Sequence, residues 1–156
     1  MQDDLFCVGL TETFKELTKG YKPDEHLILL FESLCNSCNF EPKKIKDISK
    51  KTLEEYKEKS LKEISILLSE KSTSNLYSSR MLNLGIYLII SNANDFKDIK
   101  DSEKNKTISD IFDKLNLSFN KAEKDIGIYK SILIRMEQAK ELLQEAKIKA
   151  NKEKNK

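Results

Sequence analysis

Apolar positions recur at helical spacing along most of the chain, and no period of two is sustained beyond a few residues. Leu5, Phe6, Gly9, Leu10, Phe14 and Leu17 share one face of a helix predicted from about Asp4 to Lys19. Asp4 is its expected N-cap, and Gly20 stands where a left-handed terminator belongs. Pro23 opens a second helix, with Asp24 and Glu25 in its first turn. From His26 to Cys38 this helix is apolar on most sides, which predicts a central, buried element that Asn39 ends. Pro42 opens a third helix, turning Ile45, Ile48, Leu53 and Tyr56 inward. Ser60-Leu61-Lys62-Glu63 is a capping box, and it starts a short fourth helix carrying Leu61, Ile64, Leu67 and Leu68.

Ser69 to Ser74 reads as a polar loop. A fifth helix from about Ser74 to Ser91 carries Leu76, Tyr77, Met81, Leu84, Ile86, Leu88 and Ile90, a pattern that predicts burial nearly all round. Asn92 to Lys106 reads as a polar connection and the most mobile internal segment. A short sixth helix places Ile108, Ile111, Phe112 and Leu115 together. Ser118 then caps a long final helix, in which Ala122, Ile126, Tyr129, Leu133 and Met136 alternate spacings of four and three, the signature of a heptad seam. The seam decays after Met136, where Lys140 and Lys147 take its positions, while the helix-forming composition continues. The expected fold is all-α, a single bundle of about six or seven helices. Residues 1–136 would form the body, and residues 137–156 a projecting C-terminal helix. On that arm Ala139, Leu142, Leu143 and Ala146 leave a modest apolar strip, the candidate partner-docking face.

Charge changes the picture little. The 28 basic and 26 acidic residues nearly cancel and are interspersed, which gives no global attraction to nucleic acid or anionic lipid; no nucleic-acid partner is expected. The exception is local: five of the last ten residues are lysine, which keeps open a basic tail that binds anionic lipid or nucleic acid. No aromatic residue follows Tyr129, so that tail lacks a stacking surface for bases. The first residues lack the basic region of a signal peptide, and an apolar run such as Ile86 to Ile90 is far too short to span a bilayer. Three cysteines without a secretory signal point to free thiols in a reducing compartment. Outside a secretory route, the sequons at Asn105 and Asn116 are chance matches.

Candidate chemistry is sparse. Cys35-Asn36-Ser37-Cys38 has the spacing of a metal or redox pair, yet it lies on the apolar side of a predicted helix with no second pair, and His26 is the only histidine. A thiol enzyme would need both cysteines accessible. The glycines form no phosphate loop; Gly85, beside Leu84, is better suited to close helix packing. The carboxylates are scattered and form no acid/base pair. No catalytic residue, cofactor or metal site is assigned, and the chain reads as a non-enzymatic binding protein.

The order of segments resembles a known family. Gly20-Tyr21-Lys22-Pro23-Asp24-Glu25 followed by Phe31-Glu32-Ser33-Leu34-Cys35, with Gly9-Leu10 and Phe14 before them, is similar to the thylakoid formation protein family, also known as a photosystem II accessory protein of cyanobacteria and chloroplasts. Tyr77-Ser78-Ser79-Arg80 with Leu84-Gly85-Ile86 resembles its central helix. Lys124-Asp125, Tyr129-Lys130-Ser131 and Met136-Glu137-Gln138-Ala139-Lys140-Glu141 resemble its C-terminal coiled coil. The resemblance covers nearly the whole chain. It implies an all-helical protein without catalytic residues at the thylakoid membrane periphery, on the cytoplasmic or stromal face. Such a protein would assist photosystem II biogenesis and repair with the FtsH membrane protease complex, and photosystem II components would be further partners. Family members carry an additional N-terminal helix, so the chain is expected to be N-terminally truncated, leaving part of the first or second helix apolar and exposed.

Overall fold

The structure is a computed structural model that describes residues 3–71 and 76–156. These residues contain seven α-helices, one short 3-10 turn and no strand, the all-α architecture that the periodicity predicts. The helices are α1 (Asp4–Leu17), α2 (Asp24–Ser37), α3 (Pro42–Tyr56), α4 (Leu61–Lys71), α5 (Arg80–Ser91), α6 (Asp101–Lys114) and α7 (Phe119–Lys154). The chain divides into two compact units, Met1–Ile126 and Gly127–Lys156.

In the first unit α1 is the hub, packed against both α5 and α3. Gly9 and Gly85 meet where α1 crosses α5: a Cβ at Gly9 would lie 1.8 Å from the Met81 carbonyl oxygen, and one at Gly85 would lie 1.9 Å from that of Leu5. Only hydrogen side chains let the two backbones approach this closely, the role expected of Gly85. On the α3 side, the Thr11 and Ser49 hydroxyls hydrogen-bond to each other. Cys7, Phe31, Cys35 and Ile45 form a buried cluster, backed by Leu10, Phe14, Phe40 and Ile48.

The punctuation residues act largely as their chemistry dictates. Gly20 has φ 85° and Asn39 φ 57°, the left-handed geometry that ends a helix. The capping box is formed: the Ser60 N–H donates to Glu63 Oε2 at 2.8 Å, and the Glu63 N–H donates to Ser60 Oγ at 3.4 Å. The Ser60 N–H, and after it the Ser60 hydroxyl, which donates to Glu63 Oε2 at 2.9 Å, hold the Glu63 carboxyl below its usual range. One cap differs from expectation. Asp3, not Asp4, caps α1, its Oδ1 accepting from Leu5 N at 2.8 Å and Phe6 N at 3.4 Å, while Asp4 is the first helical residue.

Three larger expectations are corrected. Helix α2 is not central: only Phe31 and Cys35 are buried, and Ile28 and Leu29 are 53% and 60% exposed. An apolar run records the surface available for burial, but the glycine crossing gives the central place to α1 and α5. Helix α5 begins at Arg80, because the Ser79 side chain accepts from Leu82 N at 3.1 Å and caps it there. Tyr77 consequently lies outside the helix and is 93% exposed. The predicted start at Ser74, and half of the predicted 69–74 loop, fall outside the described residues, but Ser69 to Lys71 belong to α4.

The third correction concerns residues 92–106, which are anchored and partly helical. Ala93 and Phe96 are buried, a 3-10 turn spans Phe96–Asp98, and α6 already begins at Asp101, with Asp101 and Glu103 favouring its positive N-terminal end. Asn94 N–H donates to the Lys59 carbonyl and Asn94 Nδ2 to that of Glu58, both at 3.1 Å. Asp95 Oδ1 accepts from Leu61 N at 2.8 Å, satisfying a free donor of the first turn of α4 from a distant part of the chain.

Candidate partner-docking site

The residues of the predicted docking face, Ala139, Leu142, Leu143 and Ala146, lie on α7 within the second unit, and all four are exposed. Leu142 and Leu143 are 66% and 64% exposed. From Glu137 to Lys156 every residue is exposed. The apolar face extends beyond these four residues. Ile128 and Ile132 are exposed too, and with Ala139, Leu142 and Ala146 they follow the same alternation of four and three, broken only by Arg135. This strip is offset by roughly a quarter turn or more from the seam that begins at Ala122 and Ile126, so α7 carries two apolar strips rather than one. The signal that finds Ile128 and Ile132 is heptad spacing counted back from Leu142. The seam beside them masks it.

At the start of α7, Asp125 accepts from Arg80 Nε through Oδ1 at 3.1 Å and from the buried Asn83 Nδ2 through Oδ2 at 3.0 Å. The Tyr77-to-Arg80 and Lys124-Asp125 motifs thereby meet across α5 and α7. This tie joins α5 to the start of α7.

The Cys35-x-x-Cys38 pair is split between two environments: Cys35 is buried and Cys38 exposed. It does not supply two accessible thiols. Burial pushes the Cys7 thiol up to about 11, reinforced by the Asp4 and Asp3 charges, and burial raises Cys35 as well. The lone His26 is exposed beside Tyr21, with ring centroids 6.3 Å apart. Among the described residues no group of three or more His, Cys, Asp or Glu side chains is arranged to hold a metal ion.

The thiols carry a pH prediction. An unfolded cysteine ionises near pH 8.5, whereas native Cys7 keeps its proton to about 11. The native state therefore binds more protons in this window. Its advantage is complete below the unfolded value and is lost as pH rises through the native one. Stability should fall across roughly pH 9 to 11 by up to about 1.4 kcal/mol per pH unit. Denaturant midpoints measured over that range check this, and Cys7→Ala should flatten the slope. A thiol reagent at neutral pH should modify Cys38 quickly and Cys7 and Cys35 only after unfolding. Rapid native labelling at all three positions would contradict the burial.

Comparison with known proteins sets this geometry in a family. The full chain, residues 1–156, matches the family described as Thylakoid formation protein. It is 83% identical over 156 residues to Protein Thf1 of Prochlorococcus marinus subsp. pastoris, an alignment covering 100% of this chain and 77% of that relative. A Protein Thf1 from another Prochlorococcus marinus strain is 69% identical over 151 residues, covering 97% of this chain and 75% of the relative. Among solved structures, that of Psb29 superposes with a TM-score of 0.78 at 20% identity, covering 100% of this chain and 79% of that one, which shows a shared all-helical fold. Matched over its whole length and close to these relatives, the chain belongs to the thylakoid formation protein family.

Proposed function

We propose that this chain is a non-catalytic accessory protein of photosystem II biogenesis and repair and of thylakoid membrane formation, acting with the FtsH membrane protease complex. It works at the periphery of the thylakoid membrane, on the cytoplasmic or stromal face, with photosystem II components as further partners. Residues 1–136 serve as a helical body, and residues 137–156 as the arm that engages the partner. Family membership supports the role in thylakoid formation. Peripheral association accords with the described residues, where no helix is long and apolar enough to cross a membrane.

The observation that carries the docking assignment is the apolar strip on α7, where Leu142 and Leu143 stand in solvent at heptad spacing from Ala139 and Ala146. An isolated leucine on a surface is ordinary, but a strip at this spacing is what a partner helix or groove recognises. Leu142→Asp with Leu143→Asp should abolish co-purification of FtsH from thylakoid membranes while leaving the helical circular dichroism intact, because both side chains are exposed. Undiminished FtsH recovery sinks the assignment. Association that survives this change but disappears with added salt would instead favour the lysine-rich tail as the binding element.

A further inference from the structure

Helices α1, α2 and α3 enclose a cleft of about 660 Å³ in the first unit. That volume lies within the range of roughly 300–1,000 Å³ typical of small-molecule sites. Its apolar lining comes from Phe14 on α1, from Leu27, Ile28 and Phe31 on α2, and from Leu53 on α3. On α2 only Phe31 and Cys35 are fully buried, so much of its apolar surface is left to line the cleft.

The rim is cationic on balance: the carboxylates that line it, Glu12, Asp24 and Glu54, are each paired with a lysine, Glu54 with Lys57 at 3.9 Å. Lys46 and Lys50, one turn apart on α3, both line the cleft, as does Lys19. Two other lining lysines are already neutralised, Lys15 by Glu12 at 2.9 Å and Lys22 by Asp24 at 3.1 Å. None of the ion pairs among the described residues involves Lys19, Lys46 or Lys50. The Lys46 ammonium sits 4.8 Å from the centroid of the Phe31 ring, so a cation with no carboxylate ion pair lies against the apolar wall.

An apolar slot with ammonium groups at its edge fits a ligand with an aliphatic body and an anionic end. The tail would leave water against Phe14, Leu27, Ile28 and Leu53, and the head would pair with Lys46 and Lys50. We infer that this cleft binds the monomeric form of a single-chain anionic amphiphile, a long-chain fatty acid carboxylate. This site is separate from the α7 strip and does not depend on the role proposed for it.

The test is a titration of the full chain with cis-parinaric acid, a fatty acid that fluoresces in apolar surroundings, kept below its aggregation concentration. Saturable binding of one molecule per chain is expected. Palmitate should displace it at least about tenfold more effectively than hexadecanol, which has the chain without the charge. Lys46→Glu with Lys50→Glu should weaken binding at least about tenfold, and Ile28→Trp, which fills the slot from an exposed position, should weaken it as well. Circular dichroism should stay unchanged in both. Absence of saturable binding, equal displacement by hexadecanol, or indifference to both variants overturns the inference. So does binding to anionic phosphatidylglycerol vesicles with none to monomeric cis-parinaric acid or palmitate, which would mark a membrane-surface contact.

Discussion

Alanine at Gly9 or Gly85 should cost the protein about 3 kcal/mol or more of stability, at the upper end of what overpacking a core exacts. The new methyl at Gly9 would lie 1.8 Å from the Met81 carbonyl oxygen, 2.7 Å from its carbonyl carbon and 2.9 Å from the Gly85 nitrogen. All three are backbone atoms inside a helix, so no rotamer change can yield; α1 must back away from α5 along its length. Leu5, Val8, Leu82 and Ile86, all buried in these two helices, would lose contact as it did so. For a chain of this size the loss lowers Tm by roughly 6–12 °C, which thermal circular dichroism would resolve. The two changes should be less than additive, because both act on one crossing and a separation forced by the first relieves the second. Gly127→Ala supplies the contrast. Nothing lies within 4 Å of a Cβ there, so alanine should stabilise α7 by about 0.5–1 kcal/mol through its better helix propensity. If Gly9→Ala and Gly85→Ala melt within about 2 °C of the parent, the close crossing is wrong.

Phe112→Ala should cost about 3–5 kcal/mol, a large share of the roughly 5–15 kcal/mol that holds such a domain together. Phe112 is wholly buried on α6 and packs against the Phe119 ring at 6.0 Å between centroids. Its carbonyl accepts from Leu117 N at 3.0 Å, fixing the turn between α6 and α7. Truncation would leave a cavity beside Ile108, Ile111 and Leu115, its buried neighbours on the same helix face. Leu143→Ala, which removes a large aliphatic side chain from the exposed stretch of α7, should change stability by no more than about 0.5 kcal/mol. Urea titrations of the two variants measure the difference. Equal losses would mean that Leu143 is covered in solution.

These contrasts also show what local pattern can and cannot reveal. Pro23, Pro42, the Ser60–Glu63 box, Gly20 and Asn39 place helix ends because their effects are carried by neighbouring backbone atoms. Gly85 is legible for a related reason, since a glycine within an apolar helix pattern asks for a close approach. Burial of α2 is not legible from Leu27 to Phe31, because apolar character is a property of the segment, whereas burial depends on which helix wins the centre. The 92–106 connection misleads for the opposite reason. Its polar residues do not predict order, yet Asn94 and Asp95 bond to atoms some 35 positions earlier, beyond any local window. On α7 the strip from Ala139 to Ala146 is legible because the neighbouring seam has lost its apolar character to Lys140 and Lys147, while Ile128 and Ile132 are hidden by the seam beside them. The cleft is invisible in sequence, since its walls come from three helices and its existence from a gap.

The Asp95 carboxylate ties the fate of two segments that lie far apart in the chain. Because it supplies the acceptor for the first turn of α4, the amides around Leu61 and those around Ala93 and Phe96 belong to one opening unit. In deuterium they should lose protection together, at a common rate, and faster than the α1–α5 crossing. A carboxylate borrowed across sequence thus makes a nominal linker a cooperative part of the fold.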